Sequence, residues 1–419
     1  MTDTLEIRAG QARVGTLRRD ERDLLAFAYD ADWLTQPARF PVSLSLPLTG
    51  DVVVGGAART FFANLLPEGA ARQAVCSRLG ISVDNDFGLL AAIGGECAGA
   101  LSLVPPGTTT RDDQENSYEE LKGKRLRDLV AVDATPLLIG GATTRLSLAG
   151  AQAKLPVAVL DGALHLPIGA APSTHILKLP NPRYPHLPEN EAFVLGLARH
   201  LGLRVVDAEL FTGTKPASLL VGRYDRLPSG DPWPVRRLHQ EDLCQATGLP
   251  PTRKYEAEGG PSLARAFTLI RAHTSQPLVE VRRLLEWQVF NIVAGNSDGH
   301  AKNLSLVYGE SGTELAPFYD LVSTRAYPSL DRKLAMSVGG RHNPDEIGRA
   351  EWSALSEDVG LGERVVLELV RALTQRTLDE LASWTRAFRE AHGAHPILDT
   401  VPRAITRRAR RLLRALAPA

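Results

Sequence analysis

The stretch GNSDGHAKNLSLV, starting at Gly295, places a carboxylate (Asp298), an imidazole (His300), an ammonium (Lys302) and a carboxamide (Asn303) directly after an apolar run. An aspartate so placed can accept the proton of an attacking hydroxyl. A carboxamide oxygen five residues later can reach a metal ion across a tight loop, which is the spacing of the two residues in HRDxxxxN. Other groups with the same potential are scattered. Lys178 lies inside the apolar strand THILKLP, where an ammonium is costly to bury unless it meets an anion. Glu191 begins the helix that follows and is the nearest carboxylate able to hold that lysine. Asp320 sits in PFYDLVS, directly behind LSLVYGESGTELAP, which reads as a hairpin turned by Gly309–Gly312, with Leu-Val where a DFG motif would carry Phe-Gly. The glycine hinge of a mobile activation segment is therefore missing.

Taken singly, each residue has a plainer role. Asp298 could brace a loop, Lys178 could snorkel from an edge strand, Asp320 could make a turn, and Glu191 could complement a helix dipole. Their order along the chain speaks for phosphoryl transfer. That chemistry needs positioning and charge neutralisation around a nucleoside triphosphate and Mg²⁺ more than covalent help.

The elements that must position these groups can be read from pattern. TLEIRAG, LLAFAYD and GALSLV read as strands around a helical stretch, FFANLLPEGAARQAVCSRLG, that stops at Gly80. The Phe61–Leu66 segment there reads as core. Residues 1–105 form this first unit, and the Pro- and Ser-containing stretch Val104–Ser117 reads as a linker. YEELKGKRLRDLVAV is expected to be an amphipathic helix. LPVAVL and ALHLP flank an Asp161–Gly162 hairpin turn. PENEAFVLGLARHLGL starts with Pro188 and stops at Gly202, and RVVDAELF and SLLVGRYDR are further strands. LLEWQVFNIVAG, apolar on nearly every face, is a buried helix, and the C-terminal remainder is helical. The expected class is α+β, with a first lobe over 118–228 and a helical lobe over 229–419.

Composition excludes several classes. The formal net charge is zero, so no global field advertises nucleic acid or membrane. Three scattered cysteines without CxxC pairing argue for a reducing cytoplasm and against a disulfide framework or zinc site. No apolar run reaches membrane-spanning length, and the N-terminus has no signal-like segment. The single basic run, RAITRRARRLLRALAPA, holds six arginines from Arg403 to Arg414. It reads as a solvated helix face, with contact to DNA phosphates as the alternative.

AGAQAK, covering Ala149, Gly150, Ala151, Gln152, Ala153 and Lys154, lets backbone N–H groups approach a phosphate, though it lacks both GxGxxG and GxxxxGK[ST]. With its flanks it belongs to a larger set. TRLSLAGAQAK, STHILKLP, NEAFVLGLARHLGL, LLVGRYDR, RLHQEDLCQATGLP, GNSDGHAKNLSL, APFYDLVS and KLAMSVGG together resemble the HipA family, the kinase-toxin half of bacterial HipA–HipB toxin–antitoxin modules. FFANLLPEG resembles that family's N-terminal subdomain, so the resemblance spans nearly the whole chain.

The resemblance implies a two-lobed, protein-kinase-like fold related to the lipid kinases and a cytoplasmic, Mg-ATP-dependent serine/threonine kinase. By motif, Asp298 would be the catalytic base, and Asn303 and Asp320 would bind Mg²⁺. Ala149–Ala153 would form the phosphate loop, with Lys154 and Lys178 on phosphates. Gly222, Arg223 and Tyr224 would line the adenine hinge, and His300, Lys302 and Tyr319 would complete the ATP pocket. Ser147, just before the phosphate loop, stands where the family autophosphorylates to eject that loop. The implied partners are a HipB-like helix-turn-helix antitoxin, operator DNA through that complex, and an aminoacyl-tRNA synthetase as protein substrate. Ala153 replaces a glutamate common in the loop, and Gly222 replaces the hinge glutamate of the best-known member. Two other functions use the same residues or fold: a small-molecule or lipid kinase, and a catalytically silent co-repressor.

Overall fold

The computed structural model describes residues 3–108, 117–131, 153–169, 171–230 and 235–417. Ser147, Ala149, Gly150, Ala151 and Gln152 lie outside the described residues. The chain forms two compact units. One comprises Met1–Leu179, Thr212–Thr252 and Leu306–Gly309; the other comprises Pro180–Phe211, Arg253–Ser305 and Glu310–Ala419.

In the first unit, an antiparallel sheet runs in the order Val53–Val54, Leu25–Tyr29, Ala12–Arg19, Asp3–Ala9, Leu101–Val104. Strand alternation turns Leu5, Ile7, Leu17 and Phe27 to one core, and Val14 joins it at the bulge where the register shifts opposite Ile7 and Arg8. Phe61, Phe62, Leu65 and Leu66 complete that core, all fully buried. The helical stretch is two helices, Gly56–Ala63 and Gly69–Leu79, and Pro67 sits in the break because it offers no N–H to continue the ladder. Gly80 ends the second helix in a left-handed conformation, φ 65°.

A second antiparallel arrangement in this unit runs Ser218–Gly222, His175–Lys178, Lys154–Leu160, Ala163–Ile168, Ser117–Glu120. Asp161 and Gly162 both have positive φ (49° and 77°), the backbone that a two-residue hairpin requires. The stretch expected as a single helix from Tyr118 differs. Ser117–Glu120 pairs with Ala163–Ile168 as an edge strand, and Gly123 at φ 56° separates it from the helix Gly123–Ala131. Sheet pairing overrides the helical pattern there.

The second unit is mainly helical. The buried helix Pro277–Ala294 packs against Leu263–His273, Glu363–His392 and Ile397–Ala415. With neighbours on several sides, it must be apolar nearly all round. No helix among the described residues is long and apolar enough to cross a membrane.

Candidate active site

The Pro277–Ala294 helix ends at Gly295, which adopts φ 72° and donates its N–H to the Asn291 carbonyl region of the last turn. A side chain at Gly295 would be strained at that φ, and its Cβ would fall 2.7 Å from Cγ of Arg325. The chain therefore leaves the helix abruptly, and the polar loop begins at once. Asn296 then does two jobs. Its Oδ1 accepts the Asp298 N–H at 3.0 Å, and its Nδ2 donates to Oδ1 of Asn291 at 2.8 Å. Nδ2 of Asn303 donates to the Asp298 carbonyl at 2.8 Å, as does the His300 N–H at the same distance.

The Asp298 backbone is thus held from both sides while its side chain is exposed. Its Oδ1 accepts a hydrogen bond from the Tyr255 hydroxyl at 2.7 Å. Asn303 itself is buried, 6% exposed, and its Oδ1 has no partner among the described residues. The carboxamide uses its nitrogen to close the loop and keeps its oxygen available. That is the donor a hard cation needs.

Lys302 and His300 are buried, at 8% and 7% exposure. The Tyr319 hydroxyl donates to the Lys302 carbonyl at 2.8 Å and shares a hydrogen bond with the Ser305 hydroxyl at 2.7 Å. Asp320 follows with φ 53°, a conformation uncommon for any residue but glycine and tolerated best by Asp and Asn. Its carbonyl faces Nδ2 of Asn296 at 3.4 Å. Asn190 fixes the next stretch by exchanging two 3.0 Å hydrogen bonds with the Ser323 backbone. Glu191, beside it on the helix Leu187–His200, is 3% exposed. Among the described residues no cluster of three or more histidine, cysteine or acidic side chains could cage a metal. The oxygen donors Asn303 and Asp320 suit Mg²⁺ shared with phosphate oxygens, which seldom uses an all-protein cage.

In the first unit, Lys154 and Lys178 are register partners on adjacent antiparallel strands. Directly opposite residues project from the same face of a sheet, so the two side chains leave the backbone on one side. Lys178 is 6% exposed and Lys154 half-buried. Ala153 accepts the Leu179 N–H through its carbonyl at 3.0 Å.

The residues expected to line an adenine hinge take part in a buried ion-pair cluster. The Arg223 guanidinium donates to both Asp225 oxygens (3.0 and 2.8 Å), to Oε1 of Glu96 (3.0 Å) and to the Ser173 hydroxyl (2.8 Å). Arg226 reaches Glu96 at 2.6 Å and Asp225 at 2.8 Å. Arg237 donates to the Leu101 carbonyl at 2.6 Å and the Ser102 hydroxyl at 2.8 Å. Burial alone would raise the Glu96 pKa, but Arg223, Arg226 and Arg237 outweigh it and hold the carboxyl below its ordinary range. Burial pulls Arg237 down to about 10, with Arg226 adding to the effect and Glu96 opposing it. Arg223 also donates its N–H to the Thr174 carbonyl at 3.0 Å. Its side chain fastens the N-terminal subdomain to the hinge strand, and the Tyr224 hydroxyl donates to Oε1 of Gln240 at 2.7 Å.

Asn296, Asn190 and Tyr255 were not singled out from sequence. Asn296 had a readable signal, since an asparagine two residues before a key aspartate is an Asx-turn pattern. Tyr255 had none, being 43 residues away from the aspartate it touches. The basic run divides in the same way. Buried Arg408 donates to the Ile292 carbonyl at 2.7 Å and to Asp345 at 2.7 Å, securing the end of the buried helix. Arg403, Arg407, Arg410 and Arg414 stay exposed along one groove.

With this geometry in view, comparison with known proteins is decisive. The profile of the HipA-like C-terminal domain matches residues 146–381, and that of the HipA N-terminal domain matches residues 5–104. This chain belongs to the HipA family. It is 32% identical to the serine/threonine-protein kinase toxin HipA of Shewanella oneidensis, over 91% of this chain and 89% of that protein. It is 40% identical to Y4mE of Sinorhizobium fredii, provisionally named a kinase, over 88% of this chain and 89% of the relative. The structure of Shewanella oneidensis HipA, solved with HipB and operator DNA, superposes with a TM-score of 0.85 at 29% identity, covering 98% of this chain and 97% of that one. The α+β, kinase-like class expected from sequence is the HipA fold, and the chain is a kinase of the serine/threonine type.

Proposed function

We propose that this HipA-family chain transfers phosphate from Mg-ATP to serine or threonine hydroxyls of a bacterial cytoplasmic protein, acting as a growth-arresting toxin. The observation that carries the reading is the Asn303 carboxamide. It locks the backbone of Asp298 while keeping its own oxygen available, so one short loop prepares a base and a metal ligand together. Asp298 would take the proton of the acceptor hydroxyl as that oxygen bonds to the terminal phosphorus and ADP departs. Asn303 and Asp320 would hold Mg²⁺, which when bound neutralises phosphate charge. Lys154 and Lys178 would receive phosphate oxygens, with Ala149–Ala153 covering them, Gly222–Tyr224 against adenine, and His300, Lys302 and Tyr319 shaping the pocket. Glu191 would orient Lys178.

The chain's likeness to a HipA solved with HipB and operator DNA supports a helix-turn-helix antitoxin as partner, with DNA reached through that complex. An aminoacyl-tRNA synthetase is the substrate class we favour, and Ser147 the site of self-silencing. Phosphate at Ser147 would add nearly two negative charges beside the nucleotide phosphates and repel them. The test is incubation with labelled Mg-ATP and a bacterial lysate. One labelled protein is expected with the parent chain and none with folded Asp298→Asn; equal labelling by that variant ends the kinase assignment. Ser147→Ala should remain active while intact mass shows no added phosphate.

A further inference from the structure

The exposed carboxylate of Asp298 is held by a residue remote in sequence. Tyr255 donates its hydroxyl to Oδ1 at 2.7 Å, and Oδ2 has no partner among the described residues. The phenol is itself fixed on several sides. Its ring meets His300 edge-on, with centroids 5.2 Å apart and planes at 86°. Ahead of it, the Lys254 carbonyl accepts the Ala301 N–H at 3.1 Å. Behind it, Glu256 donates its N–H to the Ala335 carbonyl at 3.0 Å and accepts the Ser337 N–H and hydroxyl through its carboxylate. The Tyr255 carbonyl accepts N–H groups from Glu258 and Gly260 at 3.0 and 2.9 Å. A Cβ at Gly260 would lie 2.7 Å from that carbonyl oxygen, so the turn tolerates no larger residue without moving. So much anchoring exceeds what a partly exposed hydrogen bond returns in stability.

We infer that Tyr255 is the positioning residue of the catalytic base: it fixes Oδ1 of Asp298 and thereby presents Oδ2 to the acceptor hydroxyl. The inference rests on Asp298 being that base. An untethered carboxylate on an exposed loop samples several rotamers, and general-base catalysis falls with the fraction correctly aimed. Tyr255 acts through Asp298 and touches no reacting atom in this scheme.

The experiment is steady-state ADP release from Mg-ATP with dephosphorylated casein as the acceptor protein, alongside calorimetric titration with a non-hydrolysable ATP analogue. Tyr255→Phe keeps the ring on His300 and removes only the donor. It should lower kcat about tenfold with KM for ATP and analogue affinity unchanged. Asp298→Asn should lower turnover more than about a hundredfold, and Tyr255→Phe added to it should not lower the residual rate further, because the two residues act as one unit. An unchanged kcat in Tyr255→Phe would reduce the tyrosine to a loop brace, and a raised kcat would make it an obstruction to the acceptor. Retained turnover in Asp298→Asn would instead sink the assignment of the base, whatever Tyr255→Phe does. Tyr255→Gln, which restores a shorter donor, should exceed Tyr255→Ala in kcat; equality of the two would also overturn the positioning role.

Discussion

The loop Asn296–Asn303 and the cluster around Arg223 are both dense in polar side chains, yet they dispose of their hydrogen-bonding capacity in opposite ways. Around Arg223 the guanidinium and carboxylate groups answer one another in the interior, at 3% and 0% side-chain exposure for the Arg223–Glu96 pair. In the loop, asparagine side chains satisfy backbone groups, so that Oδ2 of Asp298 and Oδ1 of Asn303 stay available. The first pattern holds two segments together; the second leaves oxygen atoms that the proposed chemistry could use. A polar residue is diagnosed by what it leaves unanswered, and the count of polar residues nearby says little.

That contrast is broken or sharpened by substitutions on each side. The largest effect belongs to Asp298→Asn, for which turnover should fall more than about a hundredfold while the thermal midpoint holds, since general-base catalysis is worth at least that. A collapse in midpoint of similar severity would move Asp298 into the structural class. Next comes Glu96→Gln, which leaves three guanidinium groups facing a single full carboxylate. Breaking a buried pair costs about 3–5 kcal/mol, so a marked fall in denaturant midpoint is expected, with activity per folded molecule preserved. A midpoint matching the parent's would show the cluster to be dispensable.

The smallest effect tests a third disposition, a buried carboxyl without a cationic partner among the described residues. Glu241 accepts hydrogen bonds from Ser43, Tyr308 and the Leu44 N–H, and burial still pushes it up to about 7. The folded chain therefore holds this proton more tightly than the unfolded one. The stability it contributes is complete below the ordinary value of 4.5 and is lost as pH rises through about 7. Glu241→Gln removes that dependence. Melting curves of variant and parent should coincide near about pH 5 and separate near about pH 8.5, the variant melting higher. The same separation at both values would assign the effect to packing alone.

Much of this was legible beforehand, for reasons that can be named. The Asp161–Gly162 turn and the Gly80 and Gly202 stops were visible because local backbone demands select particular residues. The buried helix was visible because being surrounded dictates an apolar circumference. The 298–303 spacing was visible because loop chemistry is local. Ser117–Glu120 was not, since pairing with a distant strand decided it. The ion pair of Arg223 was equally hidden, because its carboxylate partner Glu96 lies 127 residues away. Tyr255 escaped for the same reason.

The register that sets Lys154 against Lys178 has a thermodynamic corollary. If these two lysines receive phosphate oxygens as proposed, bound nucleotide would stabilise the folded chain by mass action, and folding and occupancy would be linked equilibria. Starving a cell of triphosphate would then loosen this scaffold as well as deprive it of a phosphate donor, and the protein's lifetime before proteolysis would track the energy charge of the cell that makes it.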